Sequence, residues 1–290
     1  MPWPSLPSRK HGYLPREESG RKPSKVISVK LSYQDTGAGE PLILIHGMGS
    51  GSSAFNLIIP ALQEKFRVIA FDLPGHGKSP LDAKQSMDPQ SLARLITEQM
   101  DELGILKAHF AGNSLGGWIA LEIAAASPDR TLSVTGLAPA GLWLVPTTHR
   151  SFLGSSSRFM AHRTYKYAEQ IMEKEWARKL GFAKVSPRWR DFPRETIVDA
   201  VVAYGASPGY FTSWDGMLHR RFDKVVPKTI PVTVIFGDSD NTLPVQTSQE
   251  RTLAPVHTRW VTFAQSGHAP MWDSPQECVA EIIHTASTLS

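Results

Sequence analysis

The sequence predicts an α/β protein: a mostly parallel central sheet of about eight strands flanked by helices, with a helical cap inserted late in the chain. Three observations carry this reading. Short aliphatic runs alternate with segments of helical periodicity over residues 26–141 and again from 231 onward. One of those runs passes into the next helical segment through Gly112-Asn113-Ser114-Leu115-Gly116-Gly117, a very sharp turn. Between 142 and 224 the alternation stops and only helical spacing remains, with breaks at Pro187, Pro193 and Pro208.

Residues 1–24 are rich in Pro, Arg, Lys and Ser with few aliphatics, and read as a flexible arm. The alternation from Val26 to Tyr33 predicts one or two edge strands ending at Asp35-Thr36-Gly37. Pro41 to Gly47 is a continuous aliphatic run, the pattern of a strand covered on both faces. A helix is expected from Ser53 to Lys65, with Phe55, Ile58, Ile59 and Leu62 on one side. Phe66 to Phe71 reads as a second buried strand, closed by the segment Asp72 to Ser79. Its ending, Gly77-Lys78-Ser79, resembles a phosphate-binding loop, but Asp72 stands where the first glycine is required and no helix follows promptly.

The spacing of Leu92, Leu95, Ile96, Met100 and Leu103 predicts a helix from Asp88 to Leu103. It leads into a strand over Lys107 to Ala111, the sharp turn, and an Ala-rich helix from Trp118 to Ala126. A strand follows over Leu132 to Ala138, then helical spacing over Phe159 to Leu180 and Glu195 to Tyr204. The alternation resumes with a strand at Val232 to Gly237, a helix at Val245 to Leu253, a strand at Arg259 to Phe263 and a closing helix from Pro275 to Thr288. The expected organisation is an arm over 1–24, a core domain over 25–141 and 225–290, and a helical cap over 142–224.

A chain of 290 residues with 41% hydrophobic content can bury one sizeable core. No apolar run approaches the roughly 18 residues of a membrane span, and no apolar signal segment follows Met1, so membrane insertion is not expected. The single cysteine, Cys278, can form no internal disulfide, which suits a reducing, cytoplasmic setting. The net charge of +4 has its basic excess in residues 1–30 and 150–228. Without zinc-finger spacing, an RRM aromatic motif or a basic helix, this reads as a solvated face and not a nucleic-acid site. The ten histidines show no metal-ligand pair spacing and no dinucleotide fingerprint follows the first strand, so neither metal nor cofactor is expected.

In a parallel sheet, reactive groups gather at the carboxyl ends of the strands. Ser114 lies at such an end, with glycine two residues to either side and a helix start just behind it. That arrangement exposes a hydroxyl and offers free N–H groups to an anion formed beside it. A serine hydroxyl needs a neighbouring base, and His268, on the loop after the last strand, is the candidate. The imidazole in turn needs a carboxylate, for which Asp238 and Asp240 both follow the strand ending at Gly237.

Five segments in order resemble the α/β-hydrolase superfamily over about residues 26–141 and 231–288, the cap excluded. They are His46-Gly47, Asp72 to Ser79, Gly112 to Gly117, Gly237 to Pro244, and Ser266-Gly267-His268-Ala269-Pro270. The resemblance implies a catalytic Ser114, Asp240 and His268, the acid assigned by its position four residues before Pro244, with Asp238 bracing the loop. It also implies an oxyanion hole formed by the backbone N–H groups of Met48 and Leu115, with His46, His76 and Ser79 in structural roles.

Serine at the turn, where the dehalogenases and epoxide hydrolases of the family carry aspartate, points to acyl transfer to water: hydrolysis of a carboxylic ester, lactone or thioester. The alternative is C–C bond hydrolysis of vinylogous diketones, because Asn113 resembles the ring-fission-product hydrolases, although Ala269 replaces the tryptophan those enzymes commonly carry after the histidine. A cofactor-free perhydrolase and a non-catalytic small-ligand receptor are further alternatives. The expected partner is a small molecule with an apolar acyl part, held between sheet and cap by Met48, Leu115, Trp143, Phe152, Leu243 and Met271. Arg150, Arg158 or Arg163 could receive a carboxylate, and exposed helix faces explain them equally well.

Overall fold

A computed structural model describes residues 29–288. The expected arm, and the start of the expected edge strand at 26–28, lie outside the described residues. Among the described residues seven strands form one sheet in the order β1-β3-β2-β4-β5-β6-β7. They are β1 (Tyr33–Thr36), β2 (Glu40–Ile45), β3 (Phe66–Phe71), β4 (Ala108–Asn113), β5 (Thr131–Leu137), β6 (Val232–Gly237) and β7 (Arg259–Phe263). All neighbours pair in parallel except β1, which runs antiparallel to β3 at the edge. Among the described residues the count is seven and not about eight, and 29–32, directly before β1, are irregular.

The aliphatic runs are strands because both faces of the sheet are covered. In β2, Ile43 and Ile45 join a core with α2 (Pro89–Glu102) and α3 (Leu115–Ala126), while Leu42 and Leu44 join a second with α1 (Ile59–Leu62) and α11 (Pro275–Ser287). All four are fully buried. At about 1.5–3 kcal/mol for each such side chain, these central positions outweigh any single surface contact in the molecule. The helix expected over Ser53 to Lys65 is instead a 3-10 turn at Ser52–Phe55 followed by the short α1, because Pro60 cannot donate within a continuous helix. Asp88 begins α2 by accepting from Ser91 N at 2.9 Å, and Pro89 occupies the first helical position. Between β6 and β7 lie the short α9 (Val245–Ser248) and a 3-10 turn in place of one helix, and α10 (Pro270–Asp273) precedes α11.

The insertion between β5 and β6 carries α4 (Phe152–Thr164), α5 (Ala168–Ile171), α6 (Glu175–Phe182), α7 (Arg194–Ala206) and α8 (Tyr210–Met217). It meets the core at the carboxyl ends of the strands. Gly209 N donates to Gly75 O at 2.9 Å, just beyond β3, and His268 N donates to Val185 O at 2.8 Å, beyond β7. Trp189, Phe192, Phe182 and Ile197 form a small apolar core of its own, against which Trp272 packs. Among the described residues no helix is long and apolar enough to cross a membrane.

Candidate active site

The turn between β4 and α3 is tight because α3 lies almost against β2. A Cβ on Gly116 would stand 1.9 Å from Ile45 O, closer than any atom can approach. Ser114 at the apex holds φ 53° and ψ −115°, a conformation costing a non-glycine residue of order 1–3 kcal/mol. Its neighbours enforce it: Ser114 N donates to Leu137 O at 3.0 Å, and Ser114 O accepts from Ala140 N at 2.9 Å. No side chain caps α3, so Leu115 N–H faces the apex without an acceptor among the described residues. Met48 N–H, on the loop after β2, likewise donates to none of them.

Beyond β7 the chain returns over the strand ends and presents His268, whose side chain is 13% exposed. Its Nδ1 lies 2.9 Å from Oδ2 of the buried Asp240. A carboxylate only accepts, so Nδ1 carries the proton, and in the neutral ring the Nε2 lone pair is left to take another. The second oxygen, Oδ1, accepts from Thr242 N and Leu243 N, each at 2.8 Å. Burial pushes the Asp240 carboxyl up, but the His268 hydrogen bond and charge, with the two N–H groups, outweigh it and hold the carboxyl below its ordinary range.

A carboxyl lowered in the folded state stabilises the fold above the ordinary carboxylate range, and loses that contribution as the pH falls through its folded value. The gap in melting temperature between wild type and Asp240→Ala is therefore expected to close below about pH 4. Thermal melts at stepped pH check this, and a gap that stays constant down to acid contradicts it.

Asp238 is exposed, accepts from Ser239 Oγ at 2.9 Å and Ser266 N at 3.4 Å, and makes no bond to His268. Asn113 ties the serine and histidine segments together: its Nδ2 donates to Leu137 O and to His268 O, both at 3.0 Å. The Ser114 hydroxyl itself has no hydrogen-bond partner among the described residues, His268 included. Such bonds commonly tighten only around a substrate.

The other histidines near the strand ends are bracing groups. His46 Nδ1–H donates to Gly47 O at 2.7 Å and its Nε2 accepts from Leu73 N at 2.9 Å, which fixes a neutral ring. Burial lowers its pKa. His76 is bonded to Pro74 O, and burial, with His46 nearby, pushes its pKa down to about 3. Ser79 Oγ donates to Asp72 O. Among the described residues no group of three or more His, Cys, Asp or Glu could hold a metal.

Asp273 is a site residue to which no sequence signal pointed, since it reads as an ordinary acid before the last helix. It is 2% exposed, accepts from Gly267 N at 2.7 Å and from Ser186 Oγ, and Arg188 donates to its carbonyl at 2.7 Å. Burial raises its pKa. The carboxyl thus joins the histidine loop to the insertion. Asp273→Ala leaves two buried donors without an acceptor, and is expected to cost about 2–4 kcal/mol of stability and to lower turnover. Urea unfolding and ester kinetics on the same preparation check this; unchanged stability would show the clamp to be idle.

The residues expected to hold an acyl part are scattered. Trp143 is buried edge-on against Trp118 with its indole N–H on Arg220 O, and Met271, within α10, is buried in the second core cluster. Phe152 is 84% exposed in the first turn of α4. Leu115 is buried, while Met48 and Leu243 are half-buried beside the Ser114 turn and the acid.

Residues 42–281 match the alpha/beta hydrolase family profile. A 2-hydroxy-6-oxo-6-phenylhexa-2,4-dienoate hydrolase of Comamonas testosteroni is 27% identical over 257 residues, 85% of this chain and 87% of that protein. A shorter stretch of 104 residues, 36% of this chain, is 43% identical to the dihydrolipoyllysine-residue acetyltransferase component of the acetoin cleaving system of Pseudomonas putida, of which the match spans 28%. Among solved structures, a thermophilic esterase from Thermogutta terrifontis superposes with a TM-score of 0.69 at 21% identity, over 88% of this chain and 92% of that one. With that profile matched over most of its length, the chain belongs to the alpha/beta hydrolase family.

Proposed function

We propose that this protein is a serine hydrolase that cleaves carboxylic esters, lactones or thioesters through an acyl-serine intermediate. The observation that carries this reading is the Asp240–His268 pair, whose Nδ1–H is committed to the carboxylate, on the same end of the sheet as the strained Ser114. His268 Nε2 takes the proton of Ser114 Oγ as the oxygen bonds to the acyl carbon. The carbonyl oxygen gathers negative charge, and the N–H groups of Met48 and Leu115 stabilise it. The proton then passes from His268 to the departing oxygen or sulfur as that bond breaks. Water enters and gives a proton to His268 as its oxygen bonds to the acyl carbon, and His268 returns that proton to Ser114 Oγ as the acyl–serine bond breaks, which closes the cycle.

In this reading residues 142–224 form a cap over the reacting centre, and the half-buried Met48 and Leu243 meet the acyl part. A fluorophosphonate probe tests it: the wild type labels at Ser114 and Ser114→Ala does not. Absence of labelling, with tight binding of a small molecule, would favour a receptor.

The second reading, C–C bond hydrolysis, is supported by Asn113 and by the Comamonas relative, whose name describes that chemistry. In this chain, however, the Asn113 amide nitrogen is taken up by Leu137 O and His268 O. Loss of dienolate absorbance, set against turnover of 4-nitrophenyl esters, distinguishes the two.

A further inference from the structure

Three arginines of the insertion are candidates for an anionic ligand, and their surroundings separate them. Arg150 pairs with Asp215 and lies over the Phe211 ring. Arg163 is exposed and lies over Phe159. Arg158, on α4, is 5% exposed and has no carboxylate partner among the described residues. It makes one hydrogen bond, from Nη2 to Ser207 O at 2.7 Å, and stands 5.8 Å from the centre of the Tyr210 ring. Its buried Nε–H has no partner. A guanidinium keeps its proton in any protein setting, so a fixed positive charge is held here with no negative one beside it. Such an arrangement is among the least favourable a fold can retain, unless something anionic enters.

A second donor stands near it. Tyr210 OH meets only Tyr204 OH, at the long distance of 3.5 Å, and has no other hydrogen-bond partner among the described residues. Burial holds this phenol well above its ordinary pKa, so the proton stays on it. Both rings reach the catalytic side of the molecule: a Cβ on Gly49 would lie 2.8 Å from Tyr204 Cδ2 and 2.9 Å from Tyr210 Cδ2. Gly49 directly follows Met48, the proposed oxyanion donor. An unpartnered cationic N–H and a weakly engaged hydroxyl together suit a planar, two-oxygen anion.

We propose that Arg158, with the Tyr210 hydroxyl, receives a carboxylate carried by the substrate at a distance from the bond that is cleaved. This rests on the hydrolase reading above, and names its substrate class: esters or related acyl compounds bearing a free carboxylate beyond an apolar spacer. No bond forms or breaks at Arg158, which selects the substrate and sets its position.

The test compares mono-4-nitrophenyl adipate with its methyl ester, which lacks only the negative charge. Wild-type kcat/KM is expected to favour the free acid by about 30-fold, chiefly through KM. In Arg158→Gln the ratio falls close to one, Arg158→Lys restores part of it, and Tyr210→Phe lowers it several-fold. Arg150→Gln, at the surface pair, keeps the wild-type ratio. A wild type indifferent to the charge, or an Arg158→Gln that preserves the preference or loses both esters equally, overturns the assignment. Hydrolysis of the methyl ester keeps the two claims apart: if it proceeds without charge preference, only the role of Arg158 falls.

Calorimetric titration of adipate into Ser114→Ala, with and without Arg158→Lys or Tyr210→Phe, reads the same site with no turnover. Affinity weakened by either second change supports the proposal. Equal affinity, or none in Ser114→Ala alone, overturns it.

Discussion

Ser114→Ala is expected to lower kcat/KM by about 10⁴-fold or more while leaving the melting temperature where it was. In the hydrolase reading the loss follows from removing the attacking oxygen, since among the described residues no other hydroxyl stands on a strand-to-helix turn of this kind. The unchanged stability follows from the surroundings. Ser114 Oγ makes no hydrogen bond among the described residues, and alanine bears the same backbone strain at φ 53°. His268→Ala provides the contrast. It should lose activity to a similar extent and also about 1–3 kcal/mol of stability, because the buried Asp240 then lacks its strongest partner. Ester kinetics paired with thermal melts decide the matter, and a stable Ser114→Ala with residual activity above about 1% of wild type would remove serine from the chemistry.

Asp240→Asn is expected to cost about 10⁴-fold in kcat, and Asp238→Asn less than about three-fold. An amide in place of the carboxylate can turn its NH₂ toward His268 Nδ1. The ring then carries its proton on Nε2 and cannot accept one from serine. The two backbone N–H groups of Thr242 and Leu243 favour that outcome, because they need the amide oxygen for themselves. Asp238 has no such access: it is exposed and bonded to Ser239 and Ser266. Steady-state rates of the two variants side by side check the assignment. The reverse order of effects would transfer the acid's role to Asp238.

The sheet was legible because burial on both faces writes a continuous aliphatic run, as in Leu42 to Ile45 and Val232 to Phe236, and β6 and β7 end where the pattern ends. The helix before β3 was not, because Phe55, Ile58, Ile59 and Leu62 keep helical spacing across a backbone that Pro60 divides. The turn at Ser114 was legible from glycines that only close packing requires. Contacts between distant segments leave no local trace. Asp273 and Ser186 meet across 87 residues, and neither position differs in its neighbourhood from an ordinary polar site. The expected acyl pocket suffered from the same blindness: hydrophobicity does not tell Trp143, buried edge-on against Trp118, from a residue facing a ligand. Nor does charge tell the buried Arg158 from the paired Arg150.

The bond from His268 N to Val185 O, with Gly267 pressed so near that a Cβ there would lie 2.1 Å from Val185 O, ties the loop of His268 to the segment after α6. In the hydrolase reading, an outward swing of α6 and the segment after it would drag the imidazole off its carboxylate. Opposite, α7 and α8 rest on the core through the Tyr204 and Tyr210 rings and the bond between Gly209 and Gly75. In the hydrolase reading, entry of a ligand at that edge would leave the base undisturbed.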